Sequence, residues 1–278
     1  MALRNAFTAF ISLSFLLFSG CFSTESTDSG LAHENEFQDT QDHLISATLF
    51  VQRSAEYRAL CYQAYAAATK TLLQEVNNSS GTTLAIITDL DETVLDNSAY
   101  TGWQIAKKKP YTTESWKLWT EKQEACLVPG ALDFLKLADS HGVRIYYVSN
   151  RNVDALESTM SNMKRLGLPQ VLADQFYLRS TTSNKIERRE TIEGGKENVI
   201  LYLGDNLADF NGVWEKYPIE TRAARADSLS AEFGRRYIVF PNPIYGTWES
   251  GLYNFDRGID AEQRDSIRRS MLHVADLD

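Results

Sequence analysis

The sequence is poor in the residues on which several kinds of active site depend. Its 278 residues include 3 cysteines and 4 histidines. Neither Cys61 nor Cys126 has an arginine six residues downstream, which excludes the loop in which a cysteine attacks a bound phosphate group. The histidines are scattered and none lies in an Arg-His-Gly sequence, which excludes that type of histidine nucleophile.

Basic charge and long apolar runs are also scarce. The net charge is −9 and the isoelectric point is about 5.1, so the chain lacks the basic surface that binds nucleic-acid polymers. Beyond the amino-terminal region, no apolar stretch approaches the roughly 18 residues that a membrane-spanning helix needs. With 43% hydrophobic and 23% charged residues, the composition is that of a globular protein.

Residues 1–20 have the pattern of a targeting segment. Arg4 supplies a positive charge, and residues 6–18 form an apolar run too short to span a bilayer. The run ends in Phe-Ser-Gly directly before Cys21, which resembles the lipobox of bacterial lipoproteins, although Phe18 stands where leucine is usual. The resemblance implies a lipid on Cys21 and, because Phe22 rather than aspartate follows, an anchor in the outer membrane. An ordinary secretory signal with a chance cysteine is the alternative.

Residues 21–42 are rich in serine, threonine and acidic residues, which predicts a disordered leash between the lipid and a folded domain at 43–278. The compartment outside the cytoplasm is oxidising. Cys61 and Cys126 could therefore form a disulfide, or they could be small buried hydrophobic residues. The sequence leaves both readings open.

Short apolar runs alternate with helical patterns along the folded domain. Helices are predicted at 43–76, at 129–140, before Gly167, around Lys185 and at 261–274. Strands are predicted at 84–87, 143–148, 176–178, 199–203 and 237–240. This alternation predicts an α/β fold, a doubly wound parallel sheet with helices on both faces.

An insertion at about 95–128 interrupts the alternation after the first strand. It carries four large aromatic residues, Trp103, Tyr111, Trp116 and Trp119. Its position predicts a small helical cap over the strand ends. The alternative is a small satellite core built from the same rings.

Two acids directly follow the first predicted strand. Asp89 and Asp91 are two residues apart, so their side chains share a face at the end of the strand while Leu90 turns inward. Carboxylates this close repel each other unless a cation lies between them or one holds a proton. Ligands of parallel α/β sheets bind outside these strand ends, although a capped turn alone would show the same residues.

Polar residues follow the later strands in a recognisable order. The series is Asp89-x-Asp91-x-Thr93, then Ser149, then Lys185, then Gly-Asp-Asn-x-x-Asp at 204–209. It resembles the motifs of the haloacid dehalogenase superfamily. The stretches DLDETVLDNSAY and GDNLADF further resemble class C acid phosphatases, bacterial surface lipoproteins that act on 5'-nucleotides and other phosphomonoesters. The resemblance extends over essentially the whole chain after the targeting segment.

The resemblance implies a reaction and a cofactor. Asp89 is expected to be the nucleophile and a Mg²⁺ ligand, with Asp205 as a second ligand and the main-chain carbonyl of Asp91 as a third. The Asp91 side chain is expected to protonate the leaving oxygen and then to take a proton from the attacking water. An ordinary aspartate has a pKa near 3.9, so this role requires surroundings that favour the proton or an acidic medium.

The remaining expected site residues bind or support the substrate. Thr93, Ser149, Asn150 and Lys185 are expected to hold the phosphoryl group. Asp209, with Asn206 beside it, is expected to orient Lys185 or a metal-bound water. The resemblance also implies that Trp103 and Tyr245 clasp the base of a nucleoside 5'-monophosphate, against the alternative of two ordinary packing rings.

Other functions on the same scaffold remain open at this stage. A surface lipoprotein could capture a ligand such as haem without catalysis, although a binder has no need of Asp91 or Lys185. The covalent intermediate could also pass its phosphoryl group to an alcohol, as in a phosphotransferase. The sequence leaves open the preferred ester and whether the protein forms a homodimer.

Overall fold

The computed structural model describes residues 39–277. The predicted targeting segment, Cys21 and most of the predicted leash lie outside these described residues. Within residues 39–277, no helix is both long and apolar enough to cross a membrane.

The described chain begins with two helices, α1 (Ile45–Arg53) and α2 (Ala55–Asn78). The single helix predicted over 43–76 is therefore wrong, because Ser54 interrupts it with an extended backbone. The Ser54 hydroxyl accepts a hydrogen bond from the Tyr57 N–H at 3.0 Å. A serine that caps a helix in this way satisfies an amide with no partner inside the helix, so it starts a new helix rather than continuing the old one.

Seven strands lie within residues 39–277. They are β1 (Leu84–Thr88), β2 (Leu95–Asp96), β3 (Cys126–Leu127), β4 (Arg144–Asn152), β5 (Phe176–Arg179), β6 (Asn198–Gly204) and β7 (Tyr237–Val239). Five of them form a parallel sheet in the order β5-β4-β1-β6-β7, and β2 pairs with β3 in antiparallel fashion. The predicted parallel α/β sheet is confirmed. Strand β4 is longer than predicted and includes residues 149–151.

The sheet is buried on both faces. Alternate residues of β1 point to opposite sides, with Leu84 and Ile86 in one hydrophobic cluster and Ala85 and Ile87 in the other. The first cluster includes residues of α2 and α5 (Ala131–Ser140). The second includes Ile192 of α7 (Ile186–Glu193). A strand covered on both faces must be apolar throughout, which is why β1 reads as a continuous run.

The strand order places the candidate site. From β1, the strands run through β4 to β5 on one side and through β6 to β7 on the other. The carboxyl ends of β1 and β6 therefore border the crevice where doubly wound sheets bind ligands. Thr88 lies opposite Leu203 in the β1–β6 ladder, and the Asp89 N–H donates to the Leu203 carbonyl at 2.9 Å. Residues more than a hundred positions apart in the chain therefore meet at one edge.

The insertion between β2 and β3 contains α3 (Ser98–Lys107) and α4 (Thr113–Lys122). Its aromatic rings surround Tyr100, whose ring stacks on Trp103 with centroids 5.8 Å apart. The rings of Tyr111, Trp116 and Trp119 also contact Tyr100. A small aromatic core is thus present, while Trp103 and Tyr111 remain exposed.

Three further details of the fold concern the two cysteines, the position of Lys185 and the end of the last helix. Cys61 is buried, Cys126 is exposed, and neither is in a disulfide. Lys185 lies just before α7 as its N-terminal cap residue rather than inside the helix. The last helix, α10, spans Ala261–Ser270 and ends before the predicted boundary at 274.

The remaining α-helices of the described residues are α6 (Leu156–Arg165), α8 (Ile219–Ser228) and α9 (Thr247–Leu252).

Candidate active site

A buried lysine lies between two carboxylates at the centre of the site. Lys185 Nζ is 2.6 Å from Asp89 Oδ1 and 2.7 Å from Asp209 Oδ1, and all three residues are less than a tenth exposed. Burial alone would lower the pKa of Lys185, but Asp209 and Asp89 raise it above its ordinary value. Lys185 therefore carries a fixed positive charge beside Asp89.

The site holds more negative charge than Lys185 balances. Burial raises the pKa of Asp89 to about 7, with Lys185 opposing the rise and Asp209 and Asp91 adding to it. Burial, Asp209 and Asp89 also raise the pKa of Asp205 well above its ordinary value. Asn242 Nδ2 donates to Asp205 Oδ2 at 2.7 Å, but an amide brings no charge. Without a further cation beside them, these carboxylates therefore tend to keep a proton.

Asp89, Asp205 and Asp209 bring together three carboxylates that could hold one metal ion. One carboxylate oxygen of each lies within 4.8 Å of the others. Hard oxygen donors of this kind suit Mg²⁺, so the residues present fit the expected ion. Asp209, which the sequence assigned a supporting role, is thus part of the acidic cluster. The Asp91 side chain is not part of the cluster and contacts Arg151 instead.

Asp209 is fixed by the turn after β6. Its Oδ2 accepts the Asn206 N–H at 3.1 Å, while the Asn206 side chain accepts the Ala208 N–H. A methyl group on Gly204 would lie 2.5 Å from Asp209 Oδ2 and 2.6 Å from its Cβ. Only glycine leaves room for the Asp209 side chain at this position, which explains the Gly-Asp-Asn-x-x-Asp spacing.

Asp91 is held by a guanidinium that the sequence did not single out. Arg151 Nη2 donates to Asp91 Oδ1 at 2.8 Å, and Nε donates to both carboxylate oxygens. Asn97 Nδ2 and Ser149 Oγ also donate to Asp91, at 2.9 and 3.3 Å. Such a set of charge-assisted donors fixes the orientation of the carboxylate.

Arg151 is itself completely enclosed, with its side chain 1% exposed. Nη1 donates to Thr159 Oγ1 at 3.1 Å and Nη2 to Asn97 Oδ1 at 3.3 Å. The guanidinium lies 5.8 Å from the centre of the Trp116 ring, which ties the cap insertion to the site. The available signal in the sequence was the position of Arg151 at a strand end, two residues after Ser149.

The residues expected to bind phosphate differ in how many hydrogen bonds their side chains already make within the protein. The Thr93 hydroxyl is buried and has no hydrogen-bond partner. The Ser149 hydroxyl accepts the Arg151 N–H at 3.0 Å as well as donating to Asp91. Asn150 is exposed, and its Oδ1 accepts a hydrogen bond from Arg188 Nη2 at 2.7 Å. Arg188, which the sequence did not single out either, also donates to the Ser149 carbonyl.

Glu92 is a second buried charged residue that the sequence reasoning missed. It is 2% exposed and has a left-handed backbone with φ of +59°. Its Oε1 accepts the Asn97 N–H at 3.0 Å, and its Oε2 accepts the Tyr245 hydroxyl. Burial, followed by Asp91 and Asp205, raises the pKa of Glu92 well above its ordinary value.

Trp103 and Tyr245, the two rings expected to contact a base, are both exposed, at 37% and 40%. Trp103 projects from α3 in the cap and stacks on Tyr100. Tyr245 lies in the loop after β7 and reaches Glu92. The structure therefore leaves both rings accessible, and it ties Tyr245 directly to the loop that follows β1.

A doubly wound sheet gathers Asp89, Asp205, Asp209 and the buried Lys185 at its switch point. These are the groups that phosphoryl transfer needs, namely oxygen ligands for a metal ion and a positive charge for the phosphoryl group. Family comparison makes the assignment specific. Residues 23–248 match the model of the HAD superfamily, subfamily IIIB (acid phosphatase), and the chain belongs to this family. It is a phosphatase that acts on phosphate monoesters.

Two solved structures support the same assignment. They are those of the class C acid phosphatase from Bacillus anthracis, one of them with tungstate bound. Each is 36% identical to this chain and superposes with a TM-score of 0.82. Each match covers 86% of this chain and 100% of the other.

Proposed function

We propose that the protein is a Mg²⁺-dependent phosphomonoesterase that hydrolyses nucleoside 5'-monophosphates through an aspartyl-phosphate on Asp89. The observation that carries the proposal is the position of Asp89. Its carboxylate lies buried at the end of the central strand, 2.6 Å from the Lys185 ammonium and within the acidic cluster formed with Asp205 and Asp209.

Asp89 and Lys185 perform the phosphoryl transfer. A carboxylate oxygen of Asp89 forms a bond to phosphorus as the bond to the leaving oxygen breaks, which gives the aspartyl-phosphate. The positive charge of Lys185 stabilises the negative charge on the transferring group without any rearrangement. Asp209 holds the ammonium in place from its other side. The unpartnered Thr93 hydroxyl offers a hydrogen bond to a phosphoryl oxygen.

Asp91 moves the proton. In its acid form it protonates the leaving oxygen, and the resulting carboxylate then takes a proton from the water that attacks the aspartyl-phosphate. The second step restores the acid form, so the proton balances over one turnover. Arg151 and Asn97 orient the carboxylate for both steps.

The metal is assigned to the acidic cluster. Asp89, Asp205 and Asp209 would hold Mg²⁺, with the Asp91 carbonyl as the further ligand that the family resemblance implies. When bound, the ion neutralises the repulsion between the carboxylates and the phosphate dianion.

Phosphate release from p-nitrophenyl phosphate tests the enzyme assignment. We expect turnover in Mg²⁺, loss of turnover in excess EDTA and recovery when Mg²⁺ is added back. Asp89→Asn should keep the fold and retain less than about a thousandth of the activity. Full turnover in EDTA, or an active Asp89→Asn variant, would contradict the mechanism. A surface protein that binds haem or another ligand without catalysis would release no phosphate in any of these conditions.

The preference for nucleotides rests on Trp103 and Tyr245. Both rings are exposed, and an aromatic ring can stack on any base. A phosphate-release screen over nucleoside 5'-monophosphates, sugar phosphates and small alkyl phosphates tests the preference. Equal efficiency on all three classes would reduce the assignment to a general phosphatase.

We also propose an outer-membrane location through a lipid on Cys21, on the basis of the lipobox resemblance. Cys21→Ser should abolish incorporation of labelled fatty acid and leave a soluble or unprocessed chain. Labelling that survives the substitution would place the anchor elsewhere.

A further inference from the structure

Two loops of the site are joined by one side chain. The loop after β1 carries Glu92, and the loop after β7 carries Tyr245, which is 153 residues further along the chain. Glu92 Oε2 accepts a hydrogen bond from the Tyr245 hydroxyl, and Oε1 accepts the Asn97 N–H. Both carboxylate oxygens therefore have a donor, one close to Glu92 in the chain and one in the loop after β7.

The local backbone directs Glu92 into this position. Its φ of +59° is a conformation that residues other than glycine, asparagine and aspartate rarely adopt. A tight turn holds it there, because the Glu92 N–H donates to the Leu95 carbonyl at 2.7 Å and the Val94 N–H to the Leu90 carbonyl at 2.9 Å. The side chain is consequently 2% exposed rather than directed into solvent.

Tyr245 is anchored at its backbone as well as at its hydroxyl. Its N–H donates to Asn242 Oδ1 at 3.3 Å, and the Asn242 amide donates to Asp205 Oδ2 at 2.7 Å. The ring is 40% exposed between these two anchors. A ring held at both ends can meet a substrate without first losing conformational freedom.

We propose that Glu92 is a positioning residue that fixes the ring of Tyr245 at the crevice so that it can stack on the substrate's base. The benefit to substrate binding rests on the proposed nucleotide preference, whereas the tie between the two loops does not. Glu92 touches neither the phosphoryl group nor the leaving oxygen in this role. Its effect falls on KM for a large substrate more than on kcat.

Hydrogen–deuterium exchange of residues 241–246 tests the tie without any substrate. Tyr245→Phe removes only a hydroxyl from a half-exposed ring, and Glu92→Ala removes both hydrogen bonds. Both should speed exchange in this loop, at unchanged melting temperature for Tyr245→Phe. Glu92→Gln should restore slow exchange, because its amide can accept from the Asn97 N–H and donate to the Tyr245 oxygen. Unchanged exchange in Tyr245→Phe would overturn the proposal.

Steady-state kinetics with a nucleoside 5'-monophosphate and with methyl phosphate test the consequence. Tyr245→Phe and Glu92→Ala should each raise KM for the nucleotide about threefold to tenfold, the factor that one hydrogen bond is worth. The KM of the double variant for the nucleotide should be no higher than that of the more impaired single variant, because both substitutions break the same interaction. If KM rises equally for both substrates while loop exchange is faster, the hydrogen bond between Glu92 and Tyr245 would be supported and the nucleotide preference would be refuted. Additive losses would overturn the action of Glu92 through Tyr245.

Discussion

The guanidinium of Arg151 donates to both carboxylate oxygens of Asp91, with Nη2 2.8 Å from Oδ1 and Nε 3.2 Å from Oδ2. The planar fork of an arginine fixes both the position and the rotation of a carboxylate, whereas a lysine offers only a point charge. The orientation of the Asp91 carboxylate therefore depends on one buried side chain in β4.

We predict that Arg151→Lys lowers kcat about tenfold to a hundredfold, because lysine keeps the positive charge but lacks the planar fork that fixes the rotation of Asp91, and a small misplacement of a reacting group costs about this much in rate. Initial rates on p-nitrophenyl phosphate measure the effect. Arg144→Lys is the matched control, since Arg144 lies exposed on the same strand and is 3.9 Å from Glu197. Exposed pairs contribute little, so this variant should keep its activity. Equal rates for the two variants would show that the orientation of Asp91 does not limit turnover.

A second prediction concerns Gly204. An added Cβ would lie 2.5 Å from Asp209 Oδ2, so Gly204→Ala must displace the carboxylate that holds Lys185. We expect a loss in kcat/KM on the order of a hundredfold, as for small misplacements of catalytic groups. The control is Gly102→Ala in α3, where the new Cβ would meet Gln52 at an ordinary 3.6 Å. If Gly204→Ala keeps wild-type activity, the position of Asp209 is not critical.

The sequence was sufficient for the sheet and for the acids at its edge. Parallel strands buried on both faces must be apolar runs, and β1 and β6 stand out from their flanks for that reason. Asp89 and Asp205 could be placed because each follows such a run directly. Lys185 was found by its motif, although it precedes α7 rather than lying within it.

Glu92 and Arg151 could not be found in the same way. A glutamate in a turn and an arginine near a strand end are normally solvated, so their positions in the sequence do not mark them as buried. Their burial arises from residues distant in the chain, namely Tyr245 for Glu92 and Asp91 for Arg151. The break at Ser54 was missed because the apolar pattern continues through it, whereas the structure shows it by the extended backbone of Ser54 and by the hydrogen bond that its hydroxyl accepts from the Tyr57 N–H.

The third prediction links metal binding to pH. The pKa of Asp89 rises from 3.8 to about 7 in the metal-free fold, and that of Asp205 also rises. Between the unfolded and folded pKa values the folded chain binds more protons, so the stability of the metal-free protein falls as the pH rises from about 4 to about 7. Protons and Mg²⁺ compete for the same oxygens. Mg²⁺ should therefore raise the melting temperature more at pH 8 than at pH 5.

Thermal unfolding at a fixed Mg²⁺ concentration checks this expectation. Asp205→Asn removes one charged ligand and should reduce the gain at pH 8. Asp174→Asn is the control, because Asp174 is exposed, lies in the turn before β5 and is not a member of the acidic cluster. A gain at pH 5 that equals or exceeds the gain at pH 8 would argue against metal binding by these carboxylates.

The last prediction concerns Trp103 and the choice of substrate. Its ring stacks on Tyr100 on one side and is 37% exposed, so a base can add to the same stack. Stacking on a base is worth about 1–3 kcal/mol. Trp103→Ala should thus lower kcat/KM for a nucleoside 5'-monophosphate by at least about tenfold, or 1.4 kcal/mol. The loss on methyl phosphate should be much smaller, because that substrate has no ring to stack.

Tyr111→Ala separates substrate stacking from packing of the cap. The Tyr111 ring also contacts Tyr100, at 6.3 Å, and is 54% exposed, so its removal disturbs the same aromatic cluster. If the cap only needs its rings for packing, Trp103→Ala and Tyr111→Ala should both reduce activity on the nucleotide and on methyl phosphate alike. If Trp103 contacts the base, its removal alone should discriminate between the two substrates, since Tyr111→Ala leaves the stacking face of Trp103 in place.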